Sequence, residues 1–497
     1  MLEAAKLSVK SILTNFVSFG FTLVFGIIYL LLLFRYAPVE IVSDYFLVMA
    51  IISLSGLALS NIISFSCNYQ LPEVYHRNRK EAMMMILVST LLSGAISGIV
   101  VFSVGFSGIF SLGIMDVWTL GIYALLYNVS VNAIGYLGAM FRIREKMALA
   151  SLQPVFRFLV MGFLVLDDGA LSGYDVALFL FSLVSFNLAV LLYLFAREGL
   201  DFRYIRQGYG WIAMGLSNGL WFYVDNLGST LLGSIDSFML GAVNLKNAIA
   251  GYNAALNPSK YIQVSVPGNI GGGLFPVIRS GKFKESTGTI IEYGTKWTIL
   301  LIYPLTIAAF FFADRVIAIL APAYTGYADV ARIIILGFAL TPISSTIRQI
   351  LISMGRARFV ALTTIGAGLV NIILNLTFFF VFNMGYVGIA IATAISNILI
   401  DIVLLNFSRI VSLKKVVWDI LKFITLPTIV FSALTFYLGG MLDVPLDIDV
   451  LKNIAEFGIV VSVAYLLCLP AILLNIKERE KRFGMILLNN MRDRFQV

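Results

Sequence analysis

The sequence predicts an all-α polytopic membrane protein with about fourteen transmembrane helices: two six-helix lobes, related by a pseudo-twofold along the membrane normal, plus two extra C-terminal helices. Three observations carry this. Of 497 residues, 60% are hydrophobic and 12% charged, with a mean hydropathy of +0.94, whereas soluble domains carry about 25% charged residues. Apolar runs of about the 20 residues that cross a bilayer recur at roughly 11–34, 43–66, 82–108, 113–141, 148–166, 172–196, 215–241, 248–276, 297–313, 328–353, 359–382, 386–408, 420–440 and 453–475. Finally, Met140, Arg142 and Arg144 return as Met354, Arg356 and Arg358 at a shift of 214, while Gly173-Tyr174 and Arg197 return as Gly385-Tyr386 and Arg409 at a shift of 212. Six spans separate the copies, an even number, so both halves share one orientation.

The expected organisation is an N-lobe over 1–198, a Gly- and charge-bearing cytoplasmic inter-lobe linker over 199–214, a C-lobe over 215–410, spans thirteen and fourteen over 411–476, and a basic cytoplasmic tail over 477–497. Cytoplasmic loops collect Lys and Arg. With the N-terminus inside, nearly all the loop cations fall on the cytoplasmic side, and only Arg35, Lys246, Arg315, Arg332 and Lys452 fall outside. Both termini are then cytoplasmic and the membrane is the cell membrane. The net charge of +8 is explained by topology and anionic lipid, and no nucleic-acid partner is assigned to it. Cys67 and Cys468 read as small apolar fillers, not as a disulfide. The first run is too long for a signal h-region and reads as a span. The triplets at Asn128, Asn375 and Asn406 lie inside spans and are no glycan acceptors. The lone His76, in a short basic loop, builds no metal site without partners, and no cofactor is called for.

Candidate site residues concentrate in the hairpin of spans seven and eight. Its first limb carries Asn218, Asp225, Asn226 and Asp236, and its second Asn253, Asn257 and Lys260. An ionised side chain at the centre of a lipid-facing helix costs at least about 2.5 to 3.5 kcal/mol. Asn218, Asp225 and Asp236 are seven and eleven residues apart, and at 100° per residue both steps return to within about 20° of one face. That stripe must face a wet or protein-lined interior. Elsewhere Arg157, Arg348 and Asp401 lie at membrane depth. Arg348 and Asp401 are near enough to a cytoplasmic end to reach water by snorkelling, or else serve function. Arg157, three residues after Pro154, has no obvious local partner. At the outer boundary Arg35 reads as an interfacial anchor. Asn371, Asn375 and Asn397 read as helix-packing contacts. The Gly268–Gly273 run after Pro267 reads as a hinge or a close-packing element, since no Lys-Ser/Thr pair follows to make a phosphate loop.

Several stretches resemble the polysaccharide flippase family of the multidrug/oligosaccharidyl-lipid/polysaccharide exporter superfamily. FRYAPVEIVSDYFLV resembles its first-hairpin motif, with Ala37-Pro38 in place of the usual Leu-Gly-Pro. SIDSFMLGAVNLKNAIAGYNAA resembles its seventh-span motif, on Asp236, Gly241, Gly251, Tyr252 and Ala255. LFPVIRSGK, LAPAYTGYADVARIIILGF, ILISMGRARFVALTTIGAGLVNIILN and GYVGIAIATAISNIL resemble later segments. The resemblance implies a rocking, alternating-access transporter that carries a lipid-linked oligosaccharide, on a polyprenyl phosphate or pyrophosphate, from the inner to the outer leaflet. Arg157, Lys260 and Arg348 are the cations expected to take its phosphates, with Asn218, Asp225, Asn257 and Arg35 as further substrate contacts. Asp225 and Asp236 are the expected coupling sites for a proton or sodium ion. Membrane lipid and glycan-assembly proteins are the remaining expected partners. Two rivals stand beside this: a cation-coupled multidrug antiporter of the same superfamily, and a membrane glycan polymerase or ligase. The short external loops and the absence of clustered acid, base or metal groups in the sequence argue against the enzyme.

Overall fold

A computed structural model describes residues 24–56, 60–107, 112–140, 142–260 and 302–408, with Phe21, Gln263, Thr298, Lys414, Trp418, Leu421 and Ile429 as single positions. Among the described residues the chain is all-α, without strands. Among the described residues six helices are individually long and apolar enough to cross a membrane, or up to nine spans if each bent pair counts as one. Spans thirteen and fourteen, the tail, and the Gly268–Gly273 run lie outside the described residues, apart from single positions in span thirteen.

In chain order the helices are α1 Val24–Tyr36, α2 Val39–Ser55, α3 Ser60–Arg77, α4 Arg79–Phe106, α5 Val117–Ser130, α6 Ala133–Ala139, α7 Ile143–Asp168, α8 Gly173–Glu198, α9 Ile205–Ala242, α10 Lys246–Lys260, α11 Ile302–Phe311, α12 Ala313–Leu320, α13 Ala328–Gly337, α14 Thr341–Ser353, α15 Ala357–Leu376 and α16 Gly385–Ser408. They form two compact units. Among the described residues one holds 24–253 with Ala357–Ile389, the other Ala254–Arg356 with 390–408.

Local signals set the ends. Asn78 caps α4 by accepting from Lys80 N and Glu81 N, and Ser172 and Asp175 make a reciprocal capping box at α8, each satisfying amides that a helix start leaves open. Gly169, at φ 67°, closes α7 in the left-handed conformation that glycine takes without strain. Proline does not interrupt α7: the helix runs unbroken past Pro154.

Three expected spans are bent pairs, α2 with α3 at 66°, α11 with α12 at 84° and α13 with α14 at 45°. Pro342, in the first turn of α14, has no N–H to continue the ladder. The carbonyls near that bend are used: Tyr303 Oη donates to Ala339 O at 2.5 Å and Gln263 Nε2 to Ile335 O at 3.1 Å.

The stretch expected as an inter-lobe linker is mostly helical. A short turn, Phe202–Tyr204, leads straight into α9, which runs 38 residues. At 1.5 Å per residue that is about 57 Å, well beyond a hydrocarbon core of about 30 Å. Its first turns are braced against α4, where Trp211 Nε1 donates to Glu81 Oε1 at 2.5 Å. Gly208 fits there because a Cβ would come within 2.8 Å of Met85 N. Asp201, at the turn, is held down to about 2, first of all by the hydrogen bond from Arg203. Farther along, α9 lies on α15 at Gly228, where a Cβ would reach within 2.5 Å of the Thr364 carbonyl carbon.

Candidate functional site

The seventh-span helix carries its polar stripe into this tight contact. Asp225 Oδ1 accepts from Thr364 Oγ1 at 2.8 Å, and Asp236 Oδ1 accepts from Asn375 Nδ2 at 2.8 Å. Both pairs are 139 residues apart. A constant shift means that α9 and α15 run parallel and in register across three turns. Asp236 is 1% exposed, and its second oxygen accepts from Tyr252 Oη of α10 at 2.5 Å. Asn375 Nδ2 also donates to Asn371 Oδ1 at 3.1 Å, while Asn375 Oδ1 is buried without a hydrogen-bond partner. Asn253 Nδ2 donates to Ser237 Oγ at 2.9 Å, and Asn61 Nδ2 to Asn226 Oδ1 at 2.9 Å. The stripe therefore faces protein, on α3, α10 and α15, which is how charged and amide groups become tolerable at membrane depth.

Asn218 lies on α9, seven residues before Asp225, and its side chain is outside the described ones. Arg157 stands on α7, partly buried, and its Nε is buried without a hydrogen-bond partner. One turn earlier Gln153 Nε2 donates to Asn187 Oδ1 at 2.9 Å. Arg35 occupies the last turn of α1 and is partly buried. Asn257 and Lys260 close α10 on either side of Pro258, both partly buried.

In the other unit Asp401 is 2% exposed, accepts from Thr341 Oγ1 at 2.7 Å, and accepts a short hydrogen bond from Ser344 Oγ. Arg348, one turn beyond Ser344, lies within electrostatic reach of it. Asp401 thus does not snorkel: α14 supplies hydroxyls at the spacing of one turn, and the carboxylate is buried on them.

Two features were missed in the sequence. Thr364 gives no sign of its role, because its partner is fixed by packing between distant helices. Asp44, 2% exposed, forms an ion pair with Lys246 at 2.9 Å and accepts from Gly113 N at 2.5 Å, while Ser43 Oγ donates to the Lys246 carbonyl. The one available signal was an acid inside an apolar run. Of the remaining expectations, Asn128 is buried and donates to Ser97 Oγ at 2.7 Å, and Cys67 is buried, while Cys468 lies outside the described residues.

No protein-family model and no curated protein matches the chain. Among solved structures it is similar to the lipid II flippase MurJ in an inward closed conformation, with a TM-score of 0.60 and 16% identity over 91% of this chain and 97% of that one. It is also similar to a multidrug resistance MATE family transporter of the MOP superfamily in an inward-facing conformation, at 0.59 and 14% over 82% and 98% of the two chains. An outward-facing conformation of such a transporter scores 0.51 at 15% over 84% and 96%. The chain has the fold shared by the MurJ lipid II flippase and the MATE transporters of the MOP superfamily.

Proposed function

We propose that the protein is a transporter, not an enzyme, that moves a lipid-linked oligosaccharide on a polyprenyl phosphate or pyrophosphate from the inner to the outer leaflet of the cell membrane by alternating access, with both termini cytoplasmic. The fold supports transport in general, since its solved relatives are transporters. One observation favours an anionic cargo: the membrane-depth acids are engaged, Asp225 with Thr364 and Asp236 with Tyr252 and Asn375, whereas Arg157 keeps a buried donor unused. A buried cation is costly at this depth and is normally kept for a partner. A phosphate supplies charge and acceptors in one group.

In this reading Arg157, Lys260 and Arg348 bear the headgroup's charge, with Asn218, Asn257, Asp225 and Arg35 as further contacts. Outward movement of negative charge gains about 2.3 kcal/mol per charge at 100 mV, inside negative. Where an ion is coupled, Asp236 carries it. Its carboxyl is buried with Tyr252 and Asn375 as hydrogen-bond partners, and an ionisable group held at membrane depth marks an ion pathway.

Mass spectrometry of lipid-linked intermediates in a deletion strain tests the proposal. Accumulation of an undecorated or unflipped carrier-linked glycan is expected, with rescue by the wild-type gene and not by Arg157→Ala with Lys260→Ala. Unchanged glycolipids would remove the reading. The antiporter alternative has its own support in the MATE-like fold and the Asp236 cluster. Efflux of a cationic dye that depends on Asp236 would favour it instead.

A further inference from the structure

Tyr45 of α2 and Tyr123 and Tyr127 of α5 lie within electrostatic reach of the Arg157 guanidinium. Behind them Tyr45 and Tyr29 both pack on Phe179, with ring centres 6.5 and 5.7 Å away, and Tyr123 packs on Tyr127 at 5.9 Å and edge-on to Phe181 at 5.3 Å. Two donors in this group are idle. Arg157 Nε and Tyr123 Oη are each buried without a hydrogen-bond partner, and Tyr123 is 0% exposed. Leaving a buried donor unmade costs about 1 to 3 kcal/mol, more for a charged group.

Among the described residues no acid is hydrogen-bonded to either donor, and Glu40 of α2 and Asp167 of α7 are exposed. On the helices that carry these residues, Asp44 is tied to Lys246 and Gly113, Asp175 to Ser172, and Glu145 and Glu198 to Arg142. Asp116 caps α5 through Thr119. A guanidinium and a phenol held idle within electrostatic reach of each other suit an oxyanion, since guanidinium and hydroxyl donors bind charged oxygen acceptors strongly.

We propose that Arg157 and Tyr123 form an oxyanion seat for the transported headgroup, taking either a sugar carboxylate or a carrier phosphate, with Tyr123 as a specificity-determining donor. This rests on the transporter reading above and assigns a chemistry to one part of it. The test is thermal unfolding of the full-length protein in detergent with sodium glucuronate, inorganic pyrophosphate, farnesyl pyrophosphate or glucose. An oxyanion probe is expected to raise the midpoint and glucose is not. Arg157→Gln is expected to abolish the rise, and Tyr123→Phe to weaken apparent affinity about tenfold, as one hydrogen bond to a charged group is worth. Arg203→Gln, on an exposed loop, should leave the rise intact. A response to glucuronate alone identifies a sugar acid, and a response to the pyrophosphates identifies the carrier. Because Tyr123→Phe removes a single oxygen, it keeps the test decisive should Arg157→Gln fold poorly. No rise with any oxyanion, an equal rise with glucose, or a rise unchanged in both variants overturns the seat. Normal glycolipids in the deletion strain together with a rise that Arg157→Gln abolishes would sink the flippase reading and leave the seat standing.

Discussion

Asp236 accepts from two side chains, Tyr252 and Asn375, on two helices, so the cost of losing either donor falls on a carboxylate with no access to water. Asn375→Leu is expected to lower stability by about 1.5 to 3 kcal/mol, the range for a hydrogen bond to a charged group. Asp236→Asn in the same background should recover part of the loss, because an amide tolerates a missing donor better than a carboxylate. Thermal unfolding of the four proteins of that cycle in detergent checks this, and a coupling near zero would show that the two side chains do not depend on each other. The acids were legible in the sequence for the same reason that they matter: charge is rare and expensive at membrane depth. Their partners were not. Thr364 is one hydroxyl among many in an apolar span, and it also reaches its own helix at Val360 O, as Thr363 does at Phe359 O, so nothing local distinguishes the two.

Between elements the deciding quantity is backbone approach. At Gly228 a side chain would run into α15, so Gly228→Leu should separate the two helices and cost about 1 to 3 kcal/mol or more through overpacking. Gly366, on α15, has nothing within 4 Å of its would-be Cβ. Gly366→Ala should therefore be neutral, or stabilising by up to about 1 kcal/mol from helix propensity. Folded yield by size-exclusion chromatography ranks the two, and equal tolerance would refute the close contact. The turn before α9 yields a pH prediction. The Asp201 carboxyl is depressed to about 2, so its contribution is present above the ordinary carboxylate value of about 4 and is lost only as pH falls through about 2. Protease resistance at residues 199–204 should be flat from pH 5 to 9 and absent from Asp201→Asn. Helix existence was readable from apolar runs, but the start of α9 was not. Gly208 and Gly215 resemble loop residues until α4 is seen against the first and α3 against the second, and the bend after α13 likewise depends on tertiary contacts.

For the whole chain, the charge bias predicts sidedness. In a Cys67→Ser, Cys468→Ser background, Leu245→Cys, 41% exposed beside Lys246, should react with a membrane-impermeant thiol reagent in intact cells, and Arg203→Cys only after permeabilisation. The reverse pattern would invert the topology. The broad architecture was open to reading because composition and periodicity bear on it everywhere at once, whereas Asp44 and Lys246, some 202 residues apart, meet through no pattern that either position displays. The shared shift of 139 between Asp225 and Thr364 and between Asp236 and Asn375 carries a consequence for descent. An insertion or deletion of one residue within either eleven-residue interval would rotate a partner off its face by about 100°. Such changes should be absent from both intervals among related chains, and substitutions at 225 should track those at 364 as those at 236 track 375. The two helices would then leave a joint record, inherited as one unit although more than a hundred residues lie between them.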